Sequence, residues 1–426
     1  MRSSVASSRA QPPSPKTERS RRGTLEFCSN RFIRNSLWPS QIFSGPRTMT
    51  LISQSRERAE TNSARISPSR ITVARLRRGL TKAELAANLD IAPATLARWE
   101  NDGPPPSRTE SILERLESAL GFTAGYFVSE ELEIPATDST LFRAGSRATL
   151  RQKSVAVASG ANASTLLAWL RRNFDFPEPD LPDFSGFTPS EAARHARTIW
   201  QLGDRPVPNS VQLAESLGIA VMGLPPAASA VDAFSMWDGE QPLIFLARRR
   251  TPEGTRFDLA HELGHLLLHS SDDPRNGARE EDEANQFAAD FLIPPGIVHA
   301  HLRLHASLDD ILRLKTALKV SAMAMLRAAY HHGKLSEREY HSHLTALSAR
   351  GFQTDEPGST LQYDRSRIFD YVLSPNGGAS ISNIADETKL PPRDLHALML
   401  SAQPHTVSSA TRTTSTPARP ALRVVR

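Results

Sequence analysis

The chain has 426 residues, of which 39% are apolar, a net charge of +5, and Cys28 as its single cysteine. This length predicts two or three domains. No window approaches the roughly 20 consecutive apolar residues of a membrane helix, and the N-terminus lacks the apolar core of a signal peptide. A single cysteine excludes an internal disulfide framework and fits a reducing compartment. Together with the missing membrane helix, this predicts a cytoplasmic protein with no membrane contact. Any metal site must therefore use histidine and carboxylate ligands.

Positive charge is concentrated at the N-terminus, where residues 1–67 carry twelve Lys or Arg and four Asp or Glu. Their bias towards Ser, Arg and Pro, without hydrophobic periodicity, predicts a disordered basic tail, and residues 403–426 show the same bias. Met49 stays open as an alternative start. The high isoelectric point is thus weak support for nucleic-acid binding.

Residues 68–128 are predicted to form a bundle of short helices. Val73, Leu76 and Leu80 recur at helical spacing, with Gly79 as a stop signal. The run from Thr81 to Glu84 is a capping box, in which a hydroxyl and a carboxylate satisfy free backbone donors at a helix start. A third helix is expected from Ala92 to Glu100, before a break at three consecutive prolines, and a fourth ends near Gly121.

Beyond this bundle, the pattern loosens, and residues 129–184 are predicted as a connector. Residues 185–350 are predicted as a second domain, and residues 351–402 as a small helical module. Three strands are expected, with a hairpin signal at Asp238-Gly239 between the last two: Ile219–Leu224, Ala233–Trp237 and Leu243–Ala247. The predicted fold class is α+β, mainly helical, with a small antiparallel sheet beside one buried helix.

That helix carries the clearest chemical motif, because residues 256–269 read Arg-Phe-Asp-Leu-Ala-His-Glu-Leu-Gly-His-Leu-Leu-Leu-His. His261 and His265 are four residues apart, so on a helix both imidazoles project from one face and can share one zinc ion. Glu262 lies beside them, where its carboxylate can accept a proton from an attacking water. His269, one turn further along, is predicted to support a ligand or to face the substrate, and a purely structural role is the alternative.

A third zinc ligand is expected from the acidic start of the next helix, because a catalytic zinc takes three protein ligands. The geometry favours Glu281, and leaves Glu280 and Glu283 as alternatives that would otherwise form a solvated helix start. Asn285, one turn after Glu281, is predicted to hydrogen-bond the free ring nitrogen of a ligating histidine.

These two motifs together resemble the ImmA/IrrE family of metallopeptidases over about residues 185–350. The resemblance implies a zincin-like domain with one zinc ion per chain, a Glu ligand at the Glu-x-x-Ala-Asn position (here Glu281), and cleavage or inactivation of a repressor protein. Two features depart from the family pattern: Asp258 stands where Thr is usual, and the run from Phe291 to Ile293 replaces Leu-Leu-Met.

Residues 70–120 resemble a Cro/repressor-type (Xre) helix-turn-helix, which family members often carry as a fusion. Such a domain lays its third helix in the major groove of duplex DNA. The residues expected to contact DNA are Lys82, Thr95, Arg98 and Asn101. Ala92, Pro93 and Ala94 at the start of that helix cannot hydrogen-bond a base through their side chains. Docking to another repressor-like domain is therefore an alternative role, and the domain also offers a route to a homodimer.

Two functions follow from these features. The first is a DNA-binding transcriptional regulator that carries a zinc-dependent endopeptidase acting on a repressor. The second is a transcription factor whose zinc domain only senses or stabilises. Glu262 favours the first, because a purely structural zinc site does not need this carboxylate.

Overall fold

The computed structural model describes residues 65–135, 141–142, 148–249, 251–269 and 277–400. All of them belong to the compact unit Trp38–Arg426, while the second unit, Met1–Leu37, lies outside the described residues. The predicted tails, Cys28 and Met49 also lie outside them, except for residues 65–67. In the described part of the chain, no helix has the length and apolarity needed to cross a membrane.

An N-terminal bundle of short helices begins where the sequence predicts it. Thr81 Oγ1 accepts from the backbone N–H of Glu84 (3.2 Å), and the Glu84 carboxylate accepts from the N–H of Thr81 (2.7 Å), which confirms the capping box. Gly79 follows the first helix at φ +65°, a conformation that glycine adopts without strain. The five helices of this bundle are α1 (Pro68–Arg77), α2 (Lys82–Asn88), α3 (Pro93–Asp102), α4 (Thr109–Leu120) and α5 (Ala124–Phe127).

The segment predicted as a connector, residues 129–184, contains the longest helix of the described chain, α6 (Leu150–Asn173). It starts with a second capping box, at Thr149 and Gln152, and its middle is almost continuously buried. The loose sequence pattern of residues 129–184 therefore did not predict this helix. Sequence periodicity could not reveal α6, because a helix that is buried on most sides has no polar stripe to contrast with an apolar one.

Eleven further helices follow in the rest of the described chain. Two of them, within residues 308–331, are separated by a break at Lys319, which has a left-handed conformation. The eleven helices are α7 (Pro189–Ile199), α8 (Ser210–Ser216), α9 (Pro252–Leu268), α10 (Gly277–Leu292), α11 (Pro295–His301), α12 (Leu308–Leu318), α13 (Ala322–His331), α14 (Glu337–Ala349), α15 (Arg367–Val372), α16 (Ile381–Thr388) and α17 (Pro392–Leu398).

The sheet is mixed, and the prediction of an antiparallel sheet is wrong in this respect. Its strands are β1 (Leu141–Phe142), β2 (Ala220–Gly223), β3 (Ala233–Asp238) and β4 (Gln241–Leu246), in the order β1-β3-β4-β2. β3 and β4 form the predicted hairpin, but β2 pairs in parallel with β4. Residues 224–232 are long enough to cross two strand spacings, about 10 Å, so β2 reaches the far side of the hairpin.

The two faces of this sheet belong to two different apolar cores. Because side chains alternate along a strand, Val221, Ala233, Ile244 and Leu246 face a core shared with α7–α14. Ala220, Met222, Phe234 and Phe245 face a core shared with α6, the N-terminal bundle and α15–α17. The sheet and α6 therefore lie between the N-terminal bundle and the helix that carries the histidine motif.

The C-terminal helix α17 contacts the N-terminal bundle through a buried carboxylate. Asp394 is 1% exposed, and its two oxygens lie 2.8 Å from Arg77 Nε and 2.9 Å from Arg78 Nη2. An ionised group buried in this way needs its partners, because an unpaired charge in the interior costs several kcal/mol. The bundle is thus held against the rest of the unit by ion pairs as well as by apolar contacts.

Candidate metal centre and DNA-binding helices

Helix α9 holds the histidine motif in a buried and fixed position. Thr251 caps its first turn by accepting from the backbone N–H of Gly254 (3.2 Å), and Pro252 occupies the first helical position. Every residue from Asp258 to Leu268 is buried. This burial agrees with the buried helix that the sequence predicts. It also limits the rotation of the His261 and His265 side chains.

The two imidazoles of the motif meet on one face of α9. His261 and His265 are 0% and 2% exposed, and their Nε2 atoms lie 3.0 Å apart. Two atoms that each bind a tetrahedral zinc at about 2.0–2.1 Å are about 3.3 Å apart. The two nitrogens therefore have a spacing close to the one that a shared zinc ion requires.

Glu281 of α10 places its carboxylate next to the Nε2 atoms of the two imidazoles. Its oxygens lie 3.5 Å from His261 Nε2 and 3.5 Å from His265 Nε2. Burial by itself raises the pKa of Glu281, but hydrogen bonds from the two imidazoles outweigh it and hold the pKa well below its ordinary value. Among the described residues, His261, His265 and Glu281 form the one group with donor atoms within 4.8 Å of one another, without Glu280 or Glu283. Two nitrogens and one ionised carboxylate are a donor set that zinc accepts.

Small residues allow α9 and α10 to approach each other closely. A Cβ atom added at Gly264 would lie 3.0 Å from the Phe287 ring and 3.3 Å from the Ala284 Cα. A side chain at this position would therefore push against α10. Gly264 on α9 and Ala284 on α10 are the small residues that meet at this contact.

Glu262 points towards the sheet, where it meets a residue that the sequence analysis did not single out. Its carboxylate oxygen Oε2 accepts a hydrogen bond from Ser235 Oγ of β3 at 2.9 Å, and both residues are 0% exposed. A serine within an otherwise apolar buried strand was the available signal. This hydrogen bond restricts the orientation of the Glu262 carboxylate.

His269 contacts the candidate ligand His265 directly. Its Nδ1 lies 3.1 Å from His265 Nδ1, and its Nε2 lies 3.1 Å from Glu283 Oε2. Burial lowers the pKa of His269, and the hydrogen bond to Glu283 only partly opposes this effect. Glu283 is 27% exposed and bound to two partners, so describing it as part of a solvated helix start is wrong.

Asn285 does not have its predicted role. The Nδ1 atom of His265 contacts His269, and that of His261 has no hydrogen-bond partner among the described residues. His269 directly follows the last residue of α9, four residues after His265, and it reaches the ring nitrogen that Asn285 was expected to bind.

Asp258, which departs from the family pattern, has a local partner. The Arg249 guanidinium donates to its two carboxylate oxygens, from Nε at 2.5 Å and from Nη2 at 3.0 Å. This ion pair ties the segment after β4 to α9. The departure is therefore compensated by an arginine nine residues earlier.

The side chains predicted to contact DNA lie on and near α3. Arg98 and Asn101 are exposed, Thr95 is half-buried, and Ala92, Pro93 and Ala94 at the helix start are exposed. Lys82 is 49% exposed and lies 3.4 Å from Glu100, a buried carboxylate that also binds Arg75. The core of the bundle includes four buried residues of α2, α3 and the turn between them: Leu85, Leu89, Leu96 and Trp99.

Comparison with protein families agrees with both parts of this arrangement. Residues 214–330 match the peptidase M78 model, described as the IrrE N-terminal-like domain, and residues 73–127 match the HTH_3 helix-turn-helix model. The chain is a fusion of these two domains. No curated protein matches it.

The M78 match covers the residues of the candidate metal centre. The match spans β2–β4 and α9–α13, and it includes His261, Glu262, His265 and Glu281. An M78 metallopeptidase domain implies a metal ion. Together with the helix-turn-helix, it makes the protein a DNA-binding regulator with a metallopeptidase-type domain.

Proposed function

We propose that the M78 domain is a zinc-dependent endopeptidase that cleaves or inactivates a repressor protein, and that the helix-turn-helix domain keeps it on duplex DNA. The observation that carries this proposal is the group of His261, His265 and Glu281 with Glu262 beside it. A site that only stabilised the fold would have no use for a buried carboxylate next to the ligands. The predicted domain boundaries, the cytoplasmic location and a homodimer through the helix-turn-helix remain part of the proposal.

Different residues of the chain have different roles in the proposed reaction. In this proposal His261, His265 and Glu281 hold one zinc ion, which when bound polarises a peptide carbonyl and lowers the pKa of water. Ser235 Oγ holds Oε2 of Glu262, so Glu262 takes the proton of the attacking water at its other oxygen, Oε1. It then passes this proton to the nitrogen of the leaving amine.

A second candidate, in which the zinc domain senses or stabilises without proteolysis, is favoured by the burial of the site. His261, His265 and Glu262 are at most 2% exposed, whereas Glu281 is 32% exposed. Glu281 is therefore the most exposed member of the group. The two candidates differ in whether any bond is cut.

The decisive experiment is to incubate the zinc-loaded full chain with repressor-type helix-turn-helix proteins encoded beside its gene. If the M78 domain is an endopeptidase, intact-mass spectrometry should show two fragments of one such repressor. The masses of these fragments should sum to that of the intact protein plus one water. Cleavage should stop when a chelator removes the zinc. Intact substrates under conditions where the chain still regulates transcription would support the second candidate.

For DNA binding, the change Arg98→Ala is expected to weaken the affinity of the full chain for duplex DNA. An exposed guanidinium on α3 contacts a phosphate in this proposal, so its loss should reduce the slope of log affinity against log salt by about 0.9. Fluorescence anisotropy at several salt concentrations measures this slope.

The matched control is Arg172→Ala, an exposed arginine near the end of α6. It should leave the slope unchanged. The full chain is needed because the N-terminal bundle shares its core with α6 and α15–α17. If the full chain does not retain duplex DNA even at low salt, the helix-turn-helix instead docks to a protein.

A further inference from the structure

A continuous chain of hydrogen-bonding groups leads away from the candidate metal centre through one histidine only. His265 Nδ1 lies 3.1 Å from His269 Nδ1, and His269 Nε2 lies 3.1 Å from Glu283 Oε2. Arg279 Nε then donates to Glu283 Oε1 at 2.8 Å. By contrast, His261 Nδ1 is buried and has no hydrogen-bond partner in the described parts of the chain.

The positions of the protons in this chain follow from the groups at its two ends. His265 directs Nε2 towards His261 and Glu281, so a neutral ring that binds a metal there carries its proton on Nδ1. That N–H donates to His269 Nδ1, which must then be the unprotonated nitrogen. The proton of His269 is therefore on Nε2, where it donates to the Glu283 carboxylate.

From this geometry we infer that His269 and Glu283 are positioning residues for the metal ligand His265. Glu283 fixes the tautomer of His269, and His269 in turn fixes the tautomer and ring orientation of His265. Such partners also make a ligating nitrogen more basic and typically raise metal affinity. This inference rests on the proposed function, because it takes the group bound at His265 Nε2 to be a metal ion.

The exposure of each residue in this hydrogen-bonded chain indicates which substitution should change zinc affinity most. The side chains of His269, Glu283 and Arg279 are 7%, 27% and 77% exposed. The contact between His269 and Glu283 is thus partly shielded from water, whereas the ion pair with Arg279 is on the surface. Surface ion pairs contribute little, so Arg279 should matter much less than Glu283.

The test compares zinc affinities of full-length variants by titration against a competing chelator. Glu283→Ala removes the acceptor for His269, and His269→Leu removes the partner of His265. Each is expected to weaken zinc binding by about 10–100-fold. Asp282→Asn, a neighbouring exposed acid on α10, is the control and should bind as the parent chain does.

A conservative substitution separates this role from a structural one. In His269→Asn, the amide oxygen can stand near the position of Nδ1 and still accept from His265, so the affinity should recover most of what His269→Leu loses. Asparagine is too short to reach Glu283. Adding Glu283→Ala to His269→Asn should therefore change the affinity no further. The absorption spectrum of the cobalt-substituted variants provides a second readout, because it reports the ligand orientation at the metal.

Three outcomes would overturn the inference: unchanged affinity and cobalt spectrum in Glu283→Ala, no recovery in His269→Asn, or an undiminished effect of Glu283→Ala in that background. If His269→Leu fails to fold, as judged by its melting in the presence of chelator, the partly exposed Glu283 still gives a result. Failure of the proposed function is seen separately, as zinc retained by His265→Ala.

Discussion

His265→Ala and His261→Ala are each expected to bring the zinc content of the purified chain from about one ion to near zero. Their Nε2 atoms are 3.0 Å apart and both lie 3.5 Å from Glu281, so each substitution removes one of three proposed ligands. Structural zinc sites bind with about 10–16 kcal/mol in total, and losing one ligand should cost on the order of 10²–10⁴-fold in affinity. Elemental analysis after dialysis against a weak chelator measures the loss.

Two further variants make this result specific. His341→Ala removes an exposed histidine of α14 and should leave the zinc content unchanged. His265→Gln keeps more of the buried volume, so zinc loss in this variant cannot be attributed to a cavity alone. Normal zinc in both His261→Ala and His265→Ala would mean that the metal, if any, binds elsewhere.

Glu262→Gln is expected to keep one zinc ion per chain and to lose peptidase activity. Glutamine has the size and polarity of glutamate, and its amide oxygen can still accept from Ser235, but it cannot take up a proton. Proton transfer by a positioned side chain contributes about 10²–10⁴-fold to a rate, so cleavage of a repressor should fall by that factor. Timed intact-mass measurements on both proteins give the ratio of rates.

Zinc content and melting temperature serve as controls for Glu262→Gln. Both should match those of the parent chain, because glutamine fills nearly the same buried volume as glutamate and leaves no cavity. A cleavage rate equal to that of the parent would exclude Glu262 as the base. Undiminished regulation in cells by the Glu262→Gln chain would favour the zinc domain as a sensor or structural module.

Much of the candidate site was predictable because it depends on residues that are close together in the sequence. The spacing of His261 and His265 determines their shared face as soon as the segment is helical. In the same way, the capping box at Thr81 and the turn after Asp238 depend only on residues a few positions apart. These features all appear in the structure where the sequence predicts them.

Other features could not be read from the sequence because they depend on how separate segments pack. The sequence favoured Glu281 as the third ligand, and this assignment stays a prediction. Its carboxylate reaches the two imidazoles only because α10 docks on Gly264 of α9. The same docking places Glu283 against His269, a contact that the sequence analysis missed. Asn285 was misassigned because His269, directly after α9, contacts the ring nitrogen of His265 that does not face Glu281.

By itself, the sequence determined most helical segments other than α6, the histidine face of α9 and the two kinds of domain, since short-range periodicity, capping and motif spacing specify these. Only the tertiary structure decided the parallel pairing of β2, the burial of α6 and the contacts of Ser235 and Glu283. Each of these depends on residues distant in the chain, and such contacts form only when burial of apolar surface overcomes the entropy of closing the intervening loops.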